Sequence, residues 1–177
     1  MLRVAQELSK AWPVVQLTLL DRQALVDAST SDAFARLGWR VQTLVVDVLD
    51  WAAAPTPLQL PPQWDVIVTN LFLHHFNDIQ LAEVLPVIAA RCNSFVACEP
   101  RRAPLSLIGS HLIGAIGASK VTRQDAVLSV HAGFCDAELS IVWPGDYGQW
   151  QLQENSAGLF SHFFSAARRG ITVAETA

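Results

Sequence analysis

The sequence is poor in charge. Lys, Arg, Asp and Glu together make up 16% of its 177 residues, and the twelve basic ones form no run. With a net charge of −4, this argues against a cationic face for nucleic acid or an anionic membrane. Cysteine is scarce too. Cys92, Cys98 and Cys135 are odd in number and show no C-x-x-C spacing, so they read as reduced thiols of a cytoplasmic protein. The five histidines are scattered apart from His74-His75, and without ligand spacing no metal is expected. No apolar signal core follows the N-terminus. The most apolar stretch, residues 105–118, contains Gly109, Ser110, His111, Gly114 and Gly117. It is shorter than the ~20 residues a membrane span needs, so it reads as a buried or lid helix. A Gly-x-Ser-x-Gly elbow is missing, which disfavours a hydrolase. Gly109 and Gly114 have phosphate-loop spacing, but Ala115-Ile116 stand where Lys-Ser/Thr is required.

What is present is an apolar chain, 51% hydrophobic, in which two periodicities alternate. Leu2, Ala5, Leu8 and Trp12 recur at helical spacing up to Pro13. Residues 14–20 form a β-rich run ending in Asp21, residues 23–37 a helix closed by Gly38, and residues 41–46 a second strand ending in Asp47. Pro55, Pro57, Pro61 and Pro62 mark a loop. Residues 64–70 form a third strand. A helix capped by Asp78 then reaches Arg91, with Pro86 as a kink or late start, and residues 94–99 form a fourth strand. Residues 100–130 read as helical and glycine-interrupted, with Thr122-Arg123-Gln124-Asp125 as a capping box. A short helix at 136–143 and two strands at 150–154 and 159–166 follow. Being close in sequence, those strands should pair antiparallel.

Nearly continuous apolar strands suit a parallel sheet covered on both faces. The expected fold is therefore α/β, a doubly wound, mostly parallel sheet in one domain over residues 1–177. In such sheets ligands bind at the carboxyl ends of the strands. Asp21, Asp47, Asn70 and Glu99 stand at four successive strand exits, which makes a ligand crevice the leading expectation.

At this point the residues resemble the class I S-adenosylmethionine-dependent methyltransferases, within their small-molecule branch. Leu17-Thr18-Leu19-Leu20-Asp21 looks like that family's second strand, Val45-Val46-Asp47-Val48-Leu49-Asp50-Trp51 like its adenine segment, and Trp64 to Phe76 like its fourth strand with a Leu-His-His turn. Cys98-Glu99-Pro100-Arg101-Arg102 resembles the end of the fifth strand, and the last two strands the closing hairpin. The segment around His131 is similar to the substrate-side helices of methyltransferases associated with type III polyketide synthases. The resemblance implies a Rossmann-like fold, with residues 1–100 as cofactor half and 101–177 as substrate half. It implies S-adenosylmethionine as cofactor, with Asp21 on the ribose hydroxyls, Asp47 and the Val48 amide on adenine, and Trp51 flanking it. Asn70 would contribute through its backbone. His74, Glu99, His111 and His131 would lie on the substrate side. The apolar residues 105–118 suggest a small hydrophobic acceptor, aromatic or polyketide-like, of secondary metabolism.

The family opens with a strand and a Gly-x-Gly-x-Gly loop. Here Met1 leads directly into what looks like the helix after that loop. The expectation is a chain that starts after the first strand. Either the true start lies upstream, or a partner or second copy of the chain fills the gap.

Each residue also has a plainer reading. Asp21 can cap a helix, Asp47 can end a strand, and Asn70 can shape a turn. Glu99 can pair with Arg101 or Arg102 at the surface, and His111 can be packed core. His131 can be solvated or cap a helix. His74 and His75, being adjacent, are expected to point apart, one structural and the other a general base near pH 7. His75 is the slightly favoured base. Two rival functions follow: a non-catalytic module of the same fold that dimerises or binds a partner, and an NAD- or nucleotide-sugar-binding enzyme with Asp21 on a ribose.

Overall fold

In a computed structural model, residues 1–54, 61–107, 120–145 and 148–170 are described. The chain forms two compact units, Met1–Thr56 and Pro57–Ala177.

The first unit runs α1 (Leu2–Leu8), β1 (Val15–Asp21), α2 (Ala28–Ala35), β2 (Trp39–Val45) and α3 (Val48–Ala53). β1 and β2 pair in parallel from Val15↔Trp39 to Asp21↔Val45. Their apolar side meets the helices around Ala5, Phe34 and Trp39, with the Phe34 and Trp39 rings stacked at 6.3 Å. The Trp39 indole N–H donates to the Trp12 carbonyl at 3.0 Å, satisfying its one polar atom. The expected helix at 23–37 is shorter in fact. Asp27 accepts from the Thr30 amide at 2.7 Å and so caps the first turn, which leaves residues 23–27 outside the helix. Gly38, at φ +83°, closes the connection; a Cβ there would stand 2.4 Å from the Pro13 carbonyl oxygen, so only glycine fits.

The second unit runs β3 (Trp64–Asn70), a 3₁₀ turn (Leu73–His75), α4 (Asp78–Arg91), β4 (Cys92–Pro100), α5 (Lys120–His131), α6 (Glu138–Val142), β5 (Trp150–Ala157) and β6 (Ser161–Arg168). The sheet order is β3-β4-β6-β5. β3 and β4 are parallel, whereas β6 is antiparallel to both β4 and β5. The expected α/β class, parallel strands and closing hairpin are thus present. α4 is continuous through Pro86, and its cap is Asn77 instead of Asp78. Asn77 accepts from the Gln80 amide at 2.9 Å, and the Gln80 side chain accepts from the Asn77 amide at 3.1 Å. This is a reciprocal capping box. The backbone of Thr122 to Asp125 lies within α5. Of the apolar stretch, residues 108–118, His111 among them, lie outside the described residues. Among the described residues no helix is long and apolar enough to cross a membrane.

The core of this unit is aromatic. Phe95, Trp143 and Phe164 meet with ring centroids 5.2–6.1 Å apart, and Trp150 sits edge-on to Trp143 at 5.3 Å. Arg168 fastens the corner between α4 and β4 by donating to the Ala89 and Cys92 carbonyls at 2.7 and 3.1 Å. It also lies over the Trp150 ring.

The fully buried Cys92 thiol sits at that corner, and burial pushes it up from about 9 to about 12 even though Arg168 opposes the shift. Between these values the unfolded chain gives up the thiol proton while the native chain keeps it. The folding equilibrium should therefore weaken by up to about tenfold per pH unit as pH rises from 9 toward 12. Urea midpoints over that range should fall more steeply for the natural chain than for Cys92→Ala.

Candidate active site

In the first unit the two parallel strands leave the sheet at the same end. Asp21 ends β1 opposite Val45, and the Val46 amide donates to the Asp21 carbonyl at 3.0 Å, so Asp21 and Asp47 follow adjacent strands at neighbouring exits. Each spends one oxygen locally. Asp21 Oδ1 accepts from the Gln23 amide at 2.8 Å, and Asp47 Oδ1 accepts from the Leu49 amide at 2.9 Å and caps α3. Asp21 is exposed and Asp47 half-buried. Val48 opens α3, and Trp51 on that helix is buried.

In the second unit the organising group is Glu99, which is fully buried. Surface pairing with Arg101 or Arg102 does not occur. Arg102 instead engages Glu138 and the Cys135 sulfur. The Glu99 carboxylate accepts from the Phe72 amide at 3.0 and 3.1 Å and from the Leu73 amide at 3.0 Å. A longer contact of 3.4 Å comes from the His74 amide. His74 Nδ1 lies 2.9 Å from its Oε2. Three successive amides face this one carboxylate because the chain turns sharply after β3. Leu71 adopts φ +51°, a left-handed conformation uncommon for leucine and costing on the order of 1–3 kcal/mol. Asn70, exposed, ends β3 just before this turn, while the Leu71 amide donates to the Cys98 carbonyl at 2.8 Å.

His74 and His75 were expected to diverge. Instead their rings lie 4.1 Å apart, and both line one cleft of about 240 Å³ together with Leu71, Pro100 and Ser129. His74 is buried and His75 exposed. The Pro100 wall is fixed from behind. The Phe134 amide donates to its carbonyl at 2.9 Å, and Gly133 packs so closely that a Cβ would stand 2.3 Å from that oxygen. His131, exposed in the last turn of α5, is not among the cleft's lining residues.

A second buried acid–imidazole pair escaped the sequence reading. Glu154 Oε1 lies 2.7 Å from His162 Nε2, and the same carboxylate accepts from the Leu139 and Ser140 amides at 3.0 and 2.7 Å, capping α6. His162 stands directly opposite Glu99 across β4 and β6. The signal was there. Period-two alternation puts Glu154 on the inward face with Trp150 and Leu152, and His162 with Phe164 and Ala166. Among the described residues no group of three or more His, Cys, Asp or Glu is placed to hold a metal.

No family model matches the chain, and no curated protein matches it. Solved structures do. The chain is similar to the plantazolicin methyltransferase BpumL, solved with a triazolic desmethylplantazolicin analogue and SAH. The TM-score is 0.62 at 9% identity, over 94% of this chain and 84% of that one. It is similar to the pyocyanin biosynthetic protein PhzM with TM-score 0.50 at 14% identity over 88% of this chain, and it spans only 49% of PhzM's length. A structure from Rhodobacter sphaeroides described as a Zn-dependent alcohol dehydrogenase is also similar, with TM-score 0.51 at 11% identity over 89% of this chain and 84% of that one. At these identities the likeness is one of architecture, and the fold is the α/β fold on which small-molecule methyltransferases such as BpumL are built.

Proposed function

We propose that the chain binds S-adenosylmethionine and transfers its methyl group to a small hydrophobic acceptor. The observation that carries this reading is the placement of Asp21 and Asp47 at adjacent exits of two parallel strands. Two carboxylates so placed suit a nucleoside, whose ribose hydroxyls and adenine amino group all donate hydrogen bonds. The residues therefore fit the cofactor. Asp21 would take the ribose, and Asp47 with the Val48 amide the adenine. The cofactor would supply an electrophilic methyl group on a sulfonium. The protein's part is to align acceptor and donor and to exclude water.

Taken by itself, the second unit has a cleft suited to a small acceptor. The cleft pairs imidazoles with Leu71 and Pro100, and the exposed Leu71 is in keeping with an aromatic or polyketide-like acceptor. Asn70 would contribute backbone and His131 a more distant contact. An imidazole of the turn would take the acceptor's proton. The cytoplasm, with its supply of S-adenosylmethionine, is the proposed compartment.

Calorimetry with S-adenosylmethionine, S-adenosylhomocysteine and NAD tests the reading. Both adenosyl ligands should bind and NAD should not. Asp21→Ala should weaken binding about 10- to 100-fold, as expected for hydrogen bonds to a charged group. Asp47→Ala should cost less, since one of its oxygens already serves α3. Binding of NAD alone would replace this reading with a dinucleotide enzyme.

A further inference from the structure

One apolar feature of the second unit lies away from the cleft's lining residues. The turn between β5 and β6 is made by Gly158, Leu159 and Phe160. Gly158, at φ +77°, supplies the left-handed backbone that turns favour. The next two positions, usually polar in a turn, carry a leucine and a phenylalanine. Both are more than half exposed, and so is Leu105 on the chain segment beside them.

The turn is fastened by its own backbone. The Leu159 carbonyl accepts from the Ser106 hydroxyl at 3.2 Å, and the Phe160 carbonyl accepts from the Arg101 amide at 2.8 Å. Ser106 is itself buried. With both carbonyls bound to residues 101–106, the peptide planes at 159 and 160 cannot rotate to bring the two side chains under cover. A single exposed apolar residue is ordinary on a protein surface. Three held outward on two adjoining segments mark an interaction site.

We propose that this turn inserts Leu159 and Phe160 into the interfacial layer of a phospholipid bilayer, with Leu105 beside them. Two observations favour lipid over a second copy of the chain. The first is area. Three side chains cover far less than the ~800 Å² per partner that a specific protein interface needs, whereas insertion into lipid gains with each apolar group buried and has no such threshold. The second is charge. Residues 100–107 and 155–161 hold Arg101 and Arg102 and no acid, in a chain that has 16 acids. Glu138, which reaches Arg102 from α6, is neutralised by that contact. The tip therefore brings no carboxylate of its own against lipid phosphates, and two guanidinium groups flank it. The net charge of −4 makes a zwitterionic surface a better partner than an anionic one. Binding of this kind does not depend on the methyl-transfer reading.

The test is cosedimentation of the full chain with phosphatidylcholine vesicles. A single fatty-acid chain gives an association constant on the order of 10⁴ M⁻¹, so three side chains should give a weaker but measurable bound fraction at about 1 mM lipid. Phe160→Ser should weaken the partitioning about 10-fold or more, and Leu159→Ser somewhat less. Phe160→Trp should keep or strengthen it, because indole favours the membrane–water interface. Ile141→Ser removes an even more exposed apolar side chain from α6 and should change nothing. All four variants should keep the urea midpoint of the natural chain, since the turn carbonyls retain their partners. No sedimentation of the natural chain overturns the proposal, as does an equal loss in Ile141→Ser. Binding confined to anionic vesicles and indifferent to Phe160→Ser also overturns it, since the arginines alone would then account for it. A dimer on a sizing column without lipid, dissolved by Phe160→Ser, would assign the turn to a second copy instead.

Discussion

Glu99→Ala should lower the stability of the chain by about 3–5 kcal/mol, the summed cost of leaving several buried donors without their acceptor. Its carboxylate is fully buried and takes the Phe72 and Leu73 amides at 3.0–3.1 Å and the His74 ring at 2.9 Å. An alanine leaves these donors buried without acceptors, and each such group costs on the order of 1–3 kcal/mol. The turn's own bonds run from the His75 amide to Phe72 and from the Phe76 amide to Leu73, so they use none of the amides of residues 72–74. Urea denaturation reads the loss directly. Amide exchange should show protection vanishing first at residues 72–74. A destabilisation below about 1 kcal/mol would mean that water enters and satisfies the turn, and that Glu99 is not its keystone.

Phe164→Ala should cost a comparable 3–5 kcal/mol for a different reason. Phe164 is fully buried on the central strand β6, where its ring touches those of Phe95 and Trp143 at centroid distances of 6.1 and 5.4 Å. Truncation opens a cavity among rigid rings that cannot collapse to fill it. Phe164→Leu keeps much of the volume and should lose less. Trp143 reports the change, since a void beside its indole should alter its fluorescence in the folded state as well as the denaturation midpoint. If Phe164→Ala left the midpoint within about 1 kcal/mol of the natural chain, the aromatic cluster would not be the core of this unit.

How much of this could be read from the sequence depends on whether the determinant is local. Strand exits are local. The runs ending in Asp21, Asp47 and Asn70 were found from apolar continuity alone, and the parallel register of β1 and β2 then brings Asp21 and Asp47 together without further information. Helix starts were off by a few residues. Asp27 and Asn77 both cap, yet the apolar period that marks a helix says little about where its first free amides find an acceptor. Glu99 was placed at the right strand end and given the wrong plain alternative. Its partners lie 25–27 residues back in the chain, and neighbouring arginines in sequence are easier to imagine than amides across a sheet. His74 and His75 were expected to point apart because they are adjacent in sequence. In a 3₁₀ turn at the rim of a cleft they share one space. Glu154 and His162 were legible from alternation, but an acid on an inward face looks like an error in register until its partner is seen.

The walls of the cleft divide into two kinds. His74 and Pro100 are tied into the scaffold by Glu99, Phe134 and the close approach of Gly133. Leu71 and Ser129 line the same space with side chains that have no such duty, although the Leu71 backbone is held in an unfavourable conformation. Variation that broadens or narrows the range of accepted molecules should therefore accumulate at 71 and 129, where a new side chain reshapes the opening and the scaffold behind it does not register the change. Asparagine at 71 would even relieve the backbone, making that position the least costly starting point for redesign.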